Sequence, residues 1–130
     1  MTIIDTSVMI ALLKGTPDAK EKIRESLNQN DLPAVTIITV YELLKGAYLS
    51  SKRQDNLTNV KEALSNMQIL ELSTEACEEA SNIYYELYRS GKLISEFDIL
   101  IAAVAKTQGQ TLLTRDQHFT SIKGLNLILW

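Results

Sequence analysis

Along the chain, short β-branched apolar runs alternate with stretches in which apolar residues recur at helical spacing. Thr2 to Asp5 is such a run, and Val8 to Leu13 continues apolar at helical spacing, which predicts a buried strand turning directly into a helix with Asp5 at the junction. Lys14-Gly15-Thr16-Pro17-Asp18 breaks the pattern; Ile23 and Leu27 then mark a second helix ending near Asn30, with Pro33 following as a stop. Ala34 to Ile38 predicts a second buried strand, and Thr39 opens a helix carrying Leu43, Leu44, Ala47 and Tyr48, with Glu42 in its first turn. Ser51 to Met67 reads as a polar, amphipathic helix with Leu57, Val60 and Leu64 inward, followed by a third strand around Gln68 to Leu72. Thr74 to Arg89 has Ala76, Ala80, Ile83, Tyr84 and Leu87 at core spacing, closed by Gly91 as the left-handed residue past the helix end. Asp98 to Gln108 is almost wholly apolar and predicts the most buried helix, ending at Gly109; Thr111 to Thr114 and Asn126 to Leu129 complete the strands.

Strands alternating with helices imply the α/β class: a single-domain α/β/α sandwich over residues 1–130, with a mainly parallel central sheet and right-handed crossovers. The composition, 45% hydrophobic with five Gly and two Pro, excludes disordered and fibrous classes. The longest apolar run, Ile99 to Ala105, is far short of the roughly 20 residues of a membrane span, and the N-terminus lacks the basic segment of a signal peptide. A cytoplasmic protein without membrane contact is expected. The lone cysteine, Cys77, cannot form an internal disulfide and reads as a packed helix residue. A net charge of −3 argues against a broad basic footprint for nucleic acid, so the placement of the acids matters more than their sum.

That placement is distinctive. In a parallel α/β sheet, ligands bind in the crevice beyond the carboxyl ends of the strands. Asp5 follows the first strand, Glu42 begins the helix after the second, Asp98 begins the buried helix, and Asp116 comes two residues after the strand ending at Thr114. Local roles account for three of them singly: Thr39 to Glu42 and Ser95 to Asp98 fit the capping-box pattern, and Asp5 suits an N-cap ahead of Thr6-Ser7. Capping says nothing, however, of why four acids from four segments fall at one end of the sheet. A cap contributes about 1 kcal/mol, whereas two carboxylates about 5 Å apart repel by roughly 3 kcal/mol at an effective dielectric near 20. If the four converge, either some protonate or a divalent cation neutralises them. Oxygen donors without a nearby His or Cys suit Mg²⁺ or Mn²⁺, and such ions activate water for phosphodiester hydrolysis.

Ile3-Ile4-Asp5-Thr6-Ser7, then Thr39 through Glu42-Leu43 and Gly46, then Asp98 with Ile101-Ala102-Ala103, then Thr114-Arg115-Asp116 and His118-Phe119 resemble the successive motifs of the PIN-domain family, in order and over nearly the whole chain. Single-domain proteins of this size in that family are similar to VapC-type toxins. The resemblance implies Mg²⁺-dependent RNA cleavage, inhibition by a cognate antitoxin protein and a homodimer. It makes Asp5, Glu42, Asp98 and Asp116 the acidic site, with Asp5, Asp98 and Asp116 as metal ligands and Thr6 and Thr114 as supporting hydroxyls. Glu96 stands where the family often has a small residue.

Lys14, Lys45 and Arg115, and further out Lys52, Arg53 and Lys92, flank the motif segments and are candidates for RNA phosphates as well as ordinary solvated charges. His118, the only histidine, reads as a packing residue of the His-Phe pair, and the tyrosines 41, 48, 84, 85 and 88 as core or interface residues rather than base-stacking platforms. Two other readings stay open: a catalytically silent PIN-like module that binds RNA or a partner protein, and a phosphatase using Asp5 as nucleophile. The latter chemistry usually has a second Asp two residues on, where this chain has Ser7.

Overall fold

The computed structural model describes residues 1–130. The elements are β1 (Thr2–Ile4), α1 (Thr6–Leu13), α2 (Ala19–Ser26), β2 (Pro33–Thr36), α3 (Ile37–Leu49), α4 (Arg53–Ser65), β3 (Gln68–Leu70), α5 (Thr74–Arg89), α6 (Glu96–Thr107), β4 (Thr111–Thr114), a 3₁₀ turn (Gln117–Ser121) and β5 (Leu127–Leu129). All strand pairs are parallel and the order is β3-β2-β1-β4-β5, so the first strand lies at the centre.

The period of two along each strand divides the core into two layers. Ile3, Ala34 and Leu112 point to one side, where they pack with Ala76, Ala80, Ile83 and Leu87 of α5 and with α6. Ile4, Val35 and Leu113 point to the other, against Val8 and Met9 of α1, Leu43 and Ala47 of α3, and Leu57, Val60 and Leu64 of α4. The expected α/β/α sandwich is therefore present, with a sheet that is wholly parallel. As expected, α6 is buried nearly all round, its Ile101 to Ala105 stretch having almost no contact with water. Both α5 and α6 end as the glycine positions require. Gly91 (φ 70°) lets Lys92 N–H reach Leu87 O at 2.9 Å, and Gly109 (φ 62°) lets Gln110 N–H reach Ala105 O at 3.0 Å.

Several boundaries differ from the sequence expectation. The apolar run after Pro33 stays a strand only to Thr36; Ile37 and Ile38 already belong to α3, because the Thr36 hydroxyl accepts the Thr39 N–H at 3.2 Å and caps the helix there. Thr39 is thus inside the helix, and Glu42 lies in its second turn. Pro33 begins β2 instead of stopping a helix, α2 having ended at Ser26, and β3 stops at Leu70. Cys77 and all five tyrosines are exposed, Tyr84 included, so none is a core residue. No helix is long and apolar enough to cross a membrane.

Phe119 is the largest of the side chains with no exposure at all, and it anchors the 3₁₀ turn that follows Asp116. Phe119→Ala is expected to cost about 3–5 kcal/mol of stability in urea unfolding, the loss of a large buried ring plus the cavity it leaves, and Phe119→Leu a smaller part of that.

Candidate active site

Asp5 is the residue on which β1 becomes α1. Its backbone is extended, its N–H continues the sheet ladder by donating to Leu113 O at 2.9 Å, and its carboxylate caps α1. The side chain is nonetheless only 2% exposed. One oxygen, Oδ2, takes the hydroxyl proton of Ser7 at 2.7 Å and that of Thr114 at 2.8 Å, together with a longer contact of 3.4 Å from the Ser7 N–H. The other oxygen, Oδ1, is buried and has no hydrogen-bond partner.

The two hydroxyls that serve Asp5 are held in turn by the strand end opposite. Ser7 Oγ accepts the Arg115 N–H at 3.1 Å, and Thr114 Oγ1 accepts the Asp116 N–H at 3.0 Å. Each hydroxyl has one proton, and both are directed to Oδ2, so the loop after β4 is tied to the start of α1 through a single carboxylate oxygen. Ser7 is a contributor that the sequence did not single out. The signal present was a buried acid followed directly by two hydroxyl residues.

A second chain of hydroxyls reaches Glu42. Thr6 Oγ1 donates to Glu42 Oε1 at 2.8 Å and lies 2.9 Å from Thr39 Oγ1. With its proton committed to the carboxylate, Thr6 accepts from Thr39, giving the order Thr39 to Thr6 to Glu42 through buried side chains. Thr39, expected to open the helix, instead supports the acid through this relay.

Asp116 caps the 3₁₀ turn by accepting the His118 N–H at 2.9 Å, and the same oxygen lies 3.0 Å from His118 Nδ1. The imidazole is 74% exposed, so His118 does not serve the packing role expected of it; Phe119 alone does. Asp98 stands in the first turn of α6, behind Ser95, which occupies the N-cap position without making the side-chain bond of a capping box.

Three of the acids act on the fourth. The Asp98 carboxyl is pushed up from its ordinary value of 3.8 to about 7, first by loss of hydration and then by the negative charges of Asp5, Asp116 and Glu42, with His118 opposing. As placed, no three acidic, histidine or cysteine side chains form a cluster tight enough to enclose an ion. Asp5, Asp116 and Glu42 are nonetheless within electrostatic reach of Asp98. The donor set still fits a hard divalent cation, since it is all oxygen and Asp5 offers a buried oxygen that nothing else satisfies.

The candidate phosphate contacts are differently disposed. Lys14 and Glu42 border a groove of about 340 Å³ between α1, α3 and α4. Lys45 lies over the rings of Tyr41 and Phe97, and the Arg115 guanidinium lies 4.5 Å from the centre of the Trp130 ring.

Residues 2–125 match the PIN domain family. The chain is similar to the tRNA(fMet)-specific endonuclease VapC of Salmonella typhimurium, at 31% identity over 98% of this chain and 96% of that one. It is similar also to ribonuclease VapC2 of Haemophilus influenzae, at 33% identity with the same coverage. In three dimensions it resembles a chain of the Rickettsia felis VapBC2 complex bound to a promoter DNA fragment, with a TM-score of 0.91, 27% identity and coverage of 99% and 98%.

The electrostatics carry a signed prediction for metal-free protein. Asp98 has a folded pKa near 7 against an ordinary 3.8, so between those values the folded state holds more protons than the unfolded state and stability falls as pH rises. Urea unfolding in chelator is expected to give a lower stability at pH 8 than at pH 5. Asp98→Asn should flatten that slope and be more stable than wild type at pH 8 by about 1 kcal/mol, after discounting for screening at a half-buried site and for the lost helix-dipole interaction. A variant that keeps the wild-type slope would remove Asp98 from the cluster.

Proposed function

The chain belongs to the PIN-domain family, and from that premise we propose that it is a metal-dependent endoribonuclease, the toxin of a toxin–antitoxin pair, which cuts unpaired RNA in the cytoplasm. The observation that carries the reading is the asymmetry of Asp5. Its Oδ2 collects the hydroxyl protons of Ser7 and Thr114 while its buried Oδ1 faces no donor, beside three further acids. A purely structural cap has no use for a sealed, unsatisfied carboxylate oxygen, which costs on the order of 1–3 kcal/mol or more.

In this reading Asp5, Asp98 and Asp116 hold a divalent cation, Mg²⁺ or Mn²⁺. When bound, the ion supplies an activated water and neutralises charge on the phosphate under attack. The chain's own residues do the rest. Ser7 and Thr114 fix the Asp5 carboxylate so that Oδ1 is the oxygen presented. Thr6 fixes Glu42 through Oε1, which leaves Oε2 to orient the attacking water and receive its proton. Asp98, its carboxyl pushed up to about 7 by burial and by Asp5, Asp116 and Glu42, would have to lose its proton to join the ligand set, so occupation of the site would rise with pH. The N-termini of α1 and α6 turn backbone N–H groups toward the same rim, where phosphate oxygens are received.

An antitoxin protein is the expected inhibitor, given that similar chains have been solved as VapBC complexes. The alternative, a silent RNA- or protein-binding module, has the same fold and differs only in chemistry.

Incubation with structured and unstructured RNAs, tRNA among them, is expected to give cuts in unpaired segments that require Mg²⁺ or Mn²⁺, stop with chelator, and disappear in Asp5→Asn and Asp98→Asn. Cleavage that survives chelation would overturn the metal dependence, and no cleavage of any RNA would favour the silent module. Light scattering at micromolar concentration is expected to give a homodimer with its contact away from the acidic rim. A monomer of 14.6 kDa that still cuts RNA would overturn the dimer.

A further inference from the structure

Tyr41 directly precedes Glu42 on α3, and Phe97 directly precedes Asp98 on α6. The two rings meet edge to face, with centroids 5.7 Å apart and planes at 77°. The helices that carry two of the four acids therefore touch through an aromatic pair placed one residue before each acid, about 3.8 Å along the backbone in each case. Lys45, one turn beyond Tyr41, brings its ammonium to 5.3 Å from the Tyr41 centroid and 5.2 Å from that of Phe97. Tyr41 remains 52% exposed despite these contacts.

We propose that Tyr41, Phe97 and Lys45 form a nucleobase subsite, in which an unpaired base stacks on the Tyr41 ring and Lys45 receives the adjoining phosphate. The proposal rests on the ribonuclease reading and adds to it the groups that seat the substrate. Three considerations lead to it. A chain of net charge −3 with four acids at its active rim repels RNA, so phosphate contacts alone are a weak means of holding it, and stacking on an aromatic face is an attraction that charge does not oppose. A half-exposed tyrosine fixed by a second ring and a cation is a rigid platform and loses little freedom when a base settles on it. Every base has a π-face, but in a duplex both faces are covered by neighbours, so such a platform selects unpaired nucleotides whatever their sequence.

The other cation–aromatic pairs lack this placement: Arg115 on Trp130 adjoins Asp116, but Trp130 follows β5 and carries no second site acid. Arg53 on Tyr48 and Arg89 on Tyr85 each lie within or beside a single helix hairpin and touch no element bearing a second acid. Only the Tyr41–Phe97 pair joins two acid-bearing helices.

The test uses the full-length protein in chelator, so that no RNA is cut, and a short unstructured oligoribonucleotide carrying 2-aminopurine, a fluorescent base that is quenched on stacking. Wild type is expected to quench it. Tyr41→Ala should lose the quench and weaken binding about 10-fold or more, Tyr41→Trp and Tyr41→Phe should retain both, and Lys45→Ala should weaken binding and lower its salt dependence by about one ion. No quench by wild type, or an equal quench by Tyr41→Ala, overturns the subsite. So does a loss in Tyr41→Ala that accompanies a change in oligomeric mass by light scattering, since the ring would then be a contact between copies. Cleavage by wild type with metal restored is scored separately. If it cuts, and Tyr41→Ala cuts with unchanged KM, the subsite fails while the ribonuclease reading stands. If wild type cuts nothing, that reading fails, and the fluorescence still decides the subsite.

Discussion

Taking the Asp5 carboxylate out of water is costly by several kcal/mol unless its oxygens find partners, and the structure meets that demand for only one of the two. The partners of Oδ2 come from α1 and from the end of β4, and they are themselves held by the backbone of Arg115 and Asp116. The position of Asp116 thus depends on hydroxyls oriented toward Asp5. Glu42 depends on the neighbouring Thr6, which sits where it does because Asp5 starts the helix. Remove the buried carboxylate and both arrangements lose the reason for their geometry.

Much of this was legible in the sequence. Ile3-Ile4 before Asp5, and Leu112-Leu113 before Thr114, are runs that only a strand covered on both faces explains, and both ended where the apolar pattern stopped. The boundary between β2 and α3 was not legible, because Val35, Ile37 and Ile38 are equally apolar and β-branched on both sides of it. The change of conformation there is set by a single side-chain bond from Thr36. The same blindness moved Glu42 from the first turn to the second. Tyr84 lies at core spacing beside Ile83 and Leu87, yet helical periodicity gives a direction and not a depth, and its ring ends at the edge of the buried stripe.

The acids themselves were found from their order along the chain, since parallel topology carries strand ends to one rim. The hydroxyl partners were found only in part. Ser7 lies two residues from the Asp5 it serves, whereas Thr114 reaches Asp5 across 109 residues and Thr6 reaches Glu42 across 36, pairings that no local pattern encodes. The cations illustrate the same limit. Lys45 and Arg115 flank the motifs as expected, but that each rests on an aromatic ring follows from packing between distant segments.

The strand order has a bearing on how the protein is made. β1 is synthesised first and lies at the centre of the sheet, but one of its two neighbours is β4, which comes after residue 110. Until β4 has left the ribosome, one edge of β1 is open, the Thr114 hydroxyl is missing from Asp5, and Asp116 has not been added. A growing or truncated chain therefore holds three of its acids without the segment that completes their arrangement. Completion of the acidic cluster waits for the fourth strand and the turn after it, by topology alone.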